Sequence, residues 1–206
     1  PVSTVVADYG AFVVRNDSPY KTWQDVIEHA KREPRKVNVA GGSAKGSMDH
    51  VVAALAYKKS GLDPKSLKYI PYNAGAKALV GLLSGETQVL STGLSEVITL
   101  AQQGEVRILA STAPERISAA QDTPTMLEIG VDMTFTNWRG FFARKDISDE
   151  KFAQYLTALK TLSQSTMWHD ELKANSWSAF FKSGTELTDF LIKHEQLVKE
   201  TMQGLD

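Results

Sequence analysis

The residues best suited to chemistry form a glycine- and serine-rich segment, Gly41–Ser47, with the sequence GGSAKGS. A predicted strand precedes it and a predicted helix begins at Met48, so its backbone N–H groups and the helix N-terminus face the same space, which favours an anion. Ser43 and Ser47 add hydroxyl donors, and Lys45 adds a mobile positive charge. The segment therefore predicts an anion-binding loop. A plain glycine-rich turn, in which Ser47 only caps the helix, is the alternative interpretation.

The sequence contains few of the residue patterns that enzymes use for catalysis. Gly41 and Gly46 have the spacing of a phosphate-binding loop, but Ser47 stands where that loop carries its lysine. A small enzyme acting on a phosphorylated substrate therefore stays an alternative. The four histidines show no metal-ligand spacing, no G-x-S-x-G motif occurs, and the chain has no cysteine. We predict that the protein is not an enzyme and that it uses no metal or cofactor.

Two further loops, Tyr72–Ala76 and Ser91–Ser95, also follow predicted strands and open predicted helices. In an open α/β sheet such loops gather at the carboxyl ends of the strands, where ligands bind. We therefore expect both loops to lie beside the glycine loop and to offer backbone amides and hydroxyl groups. The candidate residues in them are Asn73, Gly75, Ala76 and Thr92.

Arg139 is a further candidate, because its guanidinium can hold a carboxylate through two parallel hydrogen bonds. It follows Trp138 on a predicted strand that crosses between two domains. A solvated surface charge is the alternative interpretation of this arginine.

The elements that must position these loops alternate between strands and helices, which predicts the α/β class with a parallel or mixed sheet. Strands are predicted at 2–14 (long or broken), 37–40, 67–72, 87–91, 106–111, 133–143 and 177–181. Helices are predicted at 22–32, 48–59, 75–83, 94–102, 126–129, 148–165, 168–174 and 185–203. The predicted division is a crossing strand at 1–13, a central α/β domain at 14–133, and a crossing strand with an α-rich part at 134–206.

Composition excludes several classes of partner. The 206 residues are 42% hydrophobic, and 23 basic and 24 acidic residues give a net charge of -1. Without a large basic field, nucleic acid is not an expected partner. No apolar run approaches the length of a membrane span, so direct membrane insertion is not expected.

The sequence resembles the extracytoplasmic receptors of tripartite tricarboxylate transporters, the TctC or Bug family. The resemblance runs along essentially the whole chain and depends on the order and spacing of its motifs. The matching segments are Asp17–Thr22, Ala40–Ser47 with His50, Pro71–Asn73, Leu82–Gly85, Pro114–Arg116 and Asp122–Thr125. Ser91–Glu96 and Asn137–Gly140 resemble the tricarboxylate-type receptors more than the wider group.

This resemblance implies a periplasmic-binding-protein-like fold of type II, with two α/β domains joined by crossing strands. It implies a periplasmic protein that captures a small di- or tricarboxylate, with citrate-like acids favoured, and delivers it to a membrane permease. No signal peptide is visible in the sequence. A receptor that reports its ligand to a sensor kinase is the alternative within binding proteins.

The resemblance also assigns roles to the candidate residues. Amides of the glycine loop, including Gly42, Lys45 and Gly46, would hold one carboxylate, with hydroxyl hydrogen bonds from Ser43 and Ser47. The loop residues Asn73, Gly75 and Ala76 would line a second wall, and Thr92 and Arg139 would approach from the cleft.

Two departures from the family pattern change the expectations. Thr92 stands where the wider group often carries a carboxylate, which disfavours an amino-acid ligand. The family pattern begins upstream of Pro1, so we expect one domain to be incomplete, with an open apolar face. We expect this chain alone to bind its acid weakly or not at all.

Overall fold

The computed structural model describes residues 1–205, which contain seven strands and seven α-helices. The strands are β1 (Ser3–Arg15), β2 (Asn38–Gly41), β3 (Lys68–Pro71), β4 (Val89–Gly93), β5 (Val106–Ser111), β6 (Thr136–Phe141) and β7 (Ser178–Ala179). The helices are α1 (Trp23–Arg32), α2 (Met48–Lys59), α3 (Gly75–Leu83), α4 (Ile98–Gln102), α5 (Asp149–Ser163), α6 (Thr166–Ala174) and α7 (Gly184–Gln203). Short 3₁₀ segments occur at Pro34–Lys36, Pro64–Ser66, Leu94–Glu96 and Ser118–Ala120.

The chain divides into two compact units. The first consists of Pro1–Asp8 and Asn137–Lys199. In it, the first part of β1 pairs with β6 and β7, and a small core forms around Val5, Val6 and Leu172. Helix α5 contributes no fully buried residue to this unit.

The second unit, Tyr9–Thr136 with the chain from Glu200, contains a five-stranded sheet in the order β3-β2-β4-β1-β5. Strand β2 runs parallel to β3 and β4, whereas β1 runs antiparallel to β4 and β5. The predicted α/β class with a mixed sheet is therefore confirmed. Because β2, β3 and β4 run in the same direction, the loops that follow them all lie at the carboxyl ends of these strands.

Strand β1 is one unbroken strand, and all but its last residue are buried. Of the two predicted forms of this strand, long or broken, the structure shows the long one, which continues through Gly10. A Cβ atom at Gly10 would lie 2.8 Å from Cγ1 of Val52 on α2. The glycine therefore lets the strand and the helix approach closely.

Helix α1 illustrates how local sequence determines an element. The Thr22 side chain accepts from the N–H of Asp25, and the Asp25 carboxylate accepts from the N–H of Thr22, which forms a capping box. The helix buries one stripe, in which the ring of Trp23 lies 4.3 Å from that of Phe12 on β1. Burying each large apolar side chain of this kind contributes about 1.5–3 kcal/mol. The buried residues of the stripe are Trp23, Val26, Ile27 and Ala30.

The structure corrects several predicted elements. The predicted helix at 126–129 is a turn, because the N–H of Met126 donates to the carbonyl of Ser111, the last residue of β5, and Gly130 adopts a φ of +83°. The predicted helix at 94–102 is interrupted at Val97, whose φ of -121° separates the 3₁₀ segment from α4. The predicted strand at 133–143 is limited to β6, and that at 177–181 is limited to β7.

Candidate functional site

The glycine loop begins at the buried end of β2 and is held against β3. A Cβ atom at Gly41 would lie 2.1 Å from the Tyr69 hydroxyl oxygen, so only glycine leaves room for this phenol. The Tyr69 hydroxyl donates to the carbonyl of Ser43 at 2.7 Å. Together these contacts fix the first half of the loop to the neighbouring strand.

The second loop contacts the glycine loop through the backbone. A Cβ atom at Gly42 would lie 2.3 Å from the amide nitrogen of Gly75 and 2.7 Å from the carbonyl carbon of Ala74. No side chain fits between the two loops at this point. The structure therefore brings Gly42 and Gly75, two of the predicted site residues, into contact.

The third loop contacts Gly75 through Glu96, which the sequence analysis did not select as a site residue. A Cβ atom at Gly75 would lie 2.7 Å from Oε2 of Glu96, which is exposed. The buried hydroxyl of Thr92 donates to the same carboxylate oxygen at 2.5 Å. Thr92 thus lies beside the site, but its hydroxyl proton is engaged by Glu96.

Asp49, in the first turn of α2, is the second residue that was missed. The residue is 8% exposed, and its carboxylate accepts from the Ser43 hydroxyl at 3.0 Å. Burial, aided by the charge of Glu96, raises the pKa of Asp49 to about 6, against hydrogen bonds from Ser43 and the Gly42 backbone that lower it. The signal in the sequence was an acid two residues after the glycine loop.

His50 holds the far end of the loop. Its Nδ1 accepts from the N–H of Gly46 at 2.9 Å, and its ring lies 4.6 Å from that of Tyr69. Burial, with the nearby charge of Lys45, lowers the pKa of His50. Gly46 itself has a φ of +85°, which favours glycine. His50 therefore acts as a neutral support of the loop conformation.

These contacts use part of the loop's hydrogen-bonding capacity. The N–H of Gly42 bonds to Asp49, that of Gly46 to His50, and that of Ser47 to the carbonyl of Ala44. Within the described residues, the N–H groups at 43, 44 and 45 have no protein acceptor. An anion could therefore be bound by these three amides rather than by the whole loop.

The remaining predicted residues are placed as follows. Ser47 occupies the N-cap position of α2, although its side chain makes no capping hydrogen bond. Lys45 and Asn73 are exposed on their loops, and Ala76 is exposed in the first turn of α3 rather than on the predicted loop. Arg139 lies in the first unit, where its guanidinium carbon is 5.8 Å from the centre of the Trp177 ring and it donates to Asn137 O at 3.3 Å.

The described part of the chain contains no cluster of potential metal ligands. Among residues 1–205, no group of three or more histidine or acidic side chains is placed to hold a metal ion. The site as described consists of backbone amides, hydroxyl groups, one lysine and two carboxylates.

Comparison with protein families gives one match over nearly the whole chain. The family described as the tripartite tricarboxylate transporter family receptor, TctC, matches residues 1–204. Among curated proteins, the UPF0065 protein in gbd 5'region of Cupriavidus necator is 24% identical over 194 residues, covering 92% of this chain and 58% of that protein. A second UPF0065 protein, from Bordetella pertussis, is 22% identical over 192 residues, also with 58% of its length covered. The chain therefore spans less than two thirds of the curated relatives it matches.

Solved structures confirm the predicted periplasmic-binding-protein fold. A TctC solute-binding protein from Polaromonas, without ligand, has a TM-score of 0.82 at 24% identity, covering 98% of this chain and 68% of that one. Rpa4515 of R. palustris, described with adipate, has a TM-score of 0.78 at 22% identity, covering 99% and 66%. MatC from Rhodopseudomonas palustris, described with bound malate, has a TM-score of 0.75 at 16% identity, covering 100% and 69%.

Proposed function

The chain belongs to the tripartite tricarboxylate transporter receptor family, and from this premise we propose that it captures a small di- or tricarboxylate for a membrane transporter. The proposal rests on the contacts among three loops at the carboxyl ends of the parallel strands, where Gly42 contacts Gly75 and Gly75 contacts Glu96. Free amides at the glycine loop supply donors for a carboxylate.

The proposed binding mode follows from the donors that remain available. The N–H groups of Ser43, Ala44 and Lys45 hold one carboxylate, and the Lys45 ammonium and the Ser47 hydroxyl approach from the rim. Asn73 on the second loop and Ala76 in the first turn of α3 line the second wall of the site. Arg139 stays a candidate for a bidentate contact with a carboxylate, for which its guanidinium has the required shape.

The class of ligand is proposed from charge and from two related structures. Adipate and malate, named with Rpa4515 and MatC, are dicarboxylates. Our proposal extends to citrate-like tricarboxylates, which carry the same end groups.

Isothermal titration calorimetry with citrate, malate and adipate tests this function. Gly42→Ala should weaken binding at least tenfold, because its Cβ would displace the backbone of Gly75 and separate the two loops. Gly61→Asn is the matched control, since Gly61 has a positive φ that Asn tolerates and no atom lies within 4 Å of a Cβ there. Absence of binding of all three acids to the full-length protein, or a Gly42→Ala variant of it with unchanged affinity, would contradict the proposal.

A periplasmic location and a permease partner are part of the same proposal and follow from the family. No helix within the described residues is long and apolar enough to cross a membrane. Co-purification of the protein with the permease in detergent, dependent on added carboxylate, tests the partner. Equal recovery with and without the permease would argue against it.

A further inference from the structure

A strongly basic surface lies in the second unit, away from the loops described above. The segments 31–36 and 58–68 together contain eight lysines or arginines and two acids, whereas the whole chain has a net charge of -1. The structure brings parts of both segments together. They line an open groove of about 520 Å³, formed by Pro34, Arg35, Lys65, Ser66, Leu67 and Lys68.

The three cationic side chains of this groove lack acidic partners. Arg35, Lys65 and Lys68 are exposed, and none of them forms an ion pair within residues 1–205. Neighbouring lysines differ, because Lys36 pairs with Glu33 and Lys59 lies 3.9 Å from Asp132. Three like charges around one concavity repel one another, so an acidic partner would relieve that repulsion.

The groove lies at the opposite end of the parallel strands from the candidate carboxylate site. Asn38 of β2 pairs with Lys68 of β3 at the strand starts, and Gly41 pairs with Pro71 at the strand ends. The two ends are roughly 10 Å apart along the strands. The groove residues precede the strands or, in the case of Lys68, begin one, whereas the glycine loop follows the strand ends, so the groove is a separate surface.

The edge of the sheet beside the groove indicates which kind of partner fits. Strand β3 is the outermost strand in the described sheet, so one side of its backbone has no neighbouring strand. An extended peptide can pair with such an edge and place alternate side chains on one face. A planar bilayer would contact protruding charges rather than the concave lining of a groove.

From these observations we propose that the groove of Arg35, Lys65 and Lys68 is a docking surface for an acidic, extended protein segment. The segment pairs with the edge of β3 and directs its carboxylates at the three cations. This surface is independent of the proposed carboxylate function, since it shares no residue with the loops at the other end of the sheet.

Fluorescence anisotropy with a labelled peptide of alternating Glu and Thr tests the proposal. The peptide should bind the wild-type protein, and a peptide with Gln in place of Glu should bind at least about tenfold more weakly. A triple variant, Arg35→Glu, Lys65→Glu and Lys68→Glu, should lose at least about tenfold in affinity for the acidic peptide. Binding should also weaken as salt is raised, because exposed charges are screened.

A matched triple variant separates the groove from overall charge. Lys160→Glu, Lys173→Glu and Lys193→Glu change the net charge equally on exposed positions of the first unit. This control should change the affinity by less than about twofold. Equal losses in both triple variants would overturn the proposal, as would equal binding of the Glu and Gln peptides. Binding to phosphatidylglycerol vesicles that requires the groove, without binding of the acidic peptide, would overturn it in favour of a membrane surface.

Discussion

Replacing Asp49 with asparagine should make the protein more stable at neutral and alkaline pH. The Asp49 carboxyl is 8% exposed, and its pKa is raised from 3.8 to about 6, chiefly by burial. A shift of about two pKa units corresponds to about 3 kcal/mol between the two protonation states. Ionised Asp49 therefore costs the folded state up to about 3 kcal/mol, and asparagine removes this cost while keeping an acceptor for the Ser43 hydroxyl.

The sign of the pH dependence follows from the direction of the shift. An acid whose pKa is raised by folding favours the folded state fully below its ordinary pKa, and this contribution is lost as the pH rises through about 6. Asp49→Asn should thus gain about 2 kcal/mol relative to wild type between about pH 4.5 and pH 8.

Urea unfolding of both proteins by circular dichroism across this pH range is the measurement. Asp132→Asn is the control, because the Asp132 side chain is 96% exposed and its stability difference from wild type should be nearly independent of pH. A difference for Asp49→Asn that stays flat with pH, or that favours wild type at high pH, would refute the assignment of a raised pKa to Asp49.

Three further results are expected. Asp49 lies at the glycine loop, where it accepts from Ser43, and near pH 8 its negative charge repels a bound carboxylate. Asp49→Asn should therefore bind a carboxylate about fivefold more tightly than wild type by calorimetry near pH 8 and equally near pH 5; a ratio that does not change with pH would be inconsistent with this repulsion. Arg139→Ala should cost about 2–5 kcal/mol of carboxylate binding, and Arg139→Lys should recover only part of it; unchanged affinity in the alanine variant would show that Arg139 does not contact the ligand. Gly10→Ala should lower the free energy of unfolding by about 1–3 kcal/mol, since its Cβ would lie 2.8 Å from Val52; urea unfolding with an unchanged midpoint would argue against this close packing.

Features fixed by neighbouring residues could be predicted from the sequence. The start of α1 is determined by a capping box within four residues, and the apolar stripe of that helix has the period of its own turns. The order of strands and helices from 37 to 111 likewise predicts an α/β sheet, and it predicts that the candidate loops lie at the carboxyl ends of the strands. The family resemblance rests on the same short motifs, and the family match over residues 1–204 confirms it.

The tertiary structure decided the contacts between distant segments. The sequence could not show that Glu96 touches Gly75, that Tyr69 fills the space left by Gly41, or that Asp49 is buried, because each contact depends on strand register. The sequence also could not show that Arg35 lies close to Lys65 and Lys68, because a strand and a helix separate them along the chain. Periodicity and capping act over a few residues, whereas burial, pKa shifts and charge clusters arise only when the folded chain brings remote side chains together.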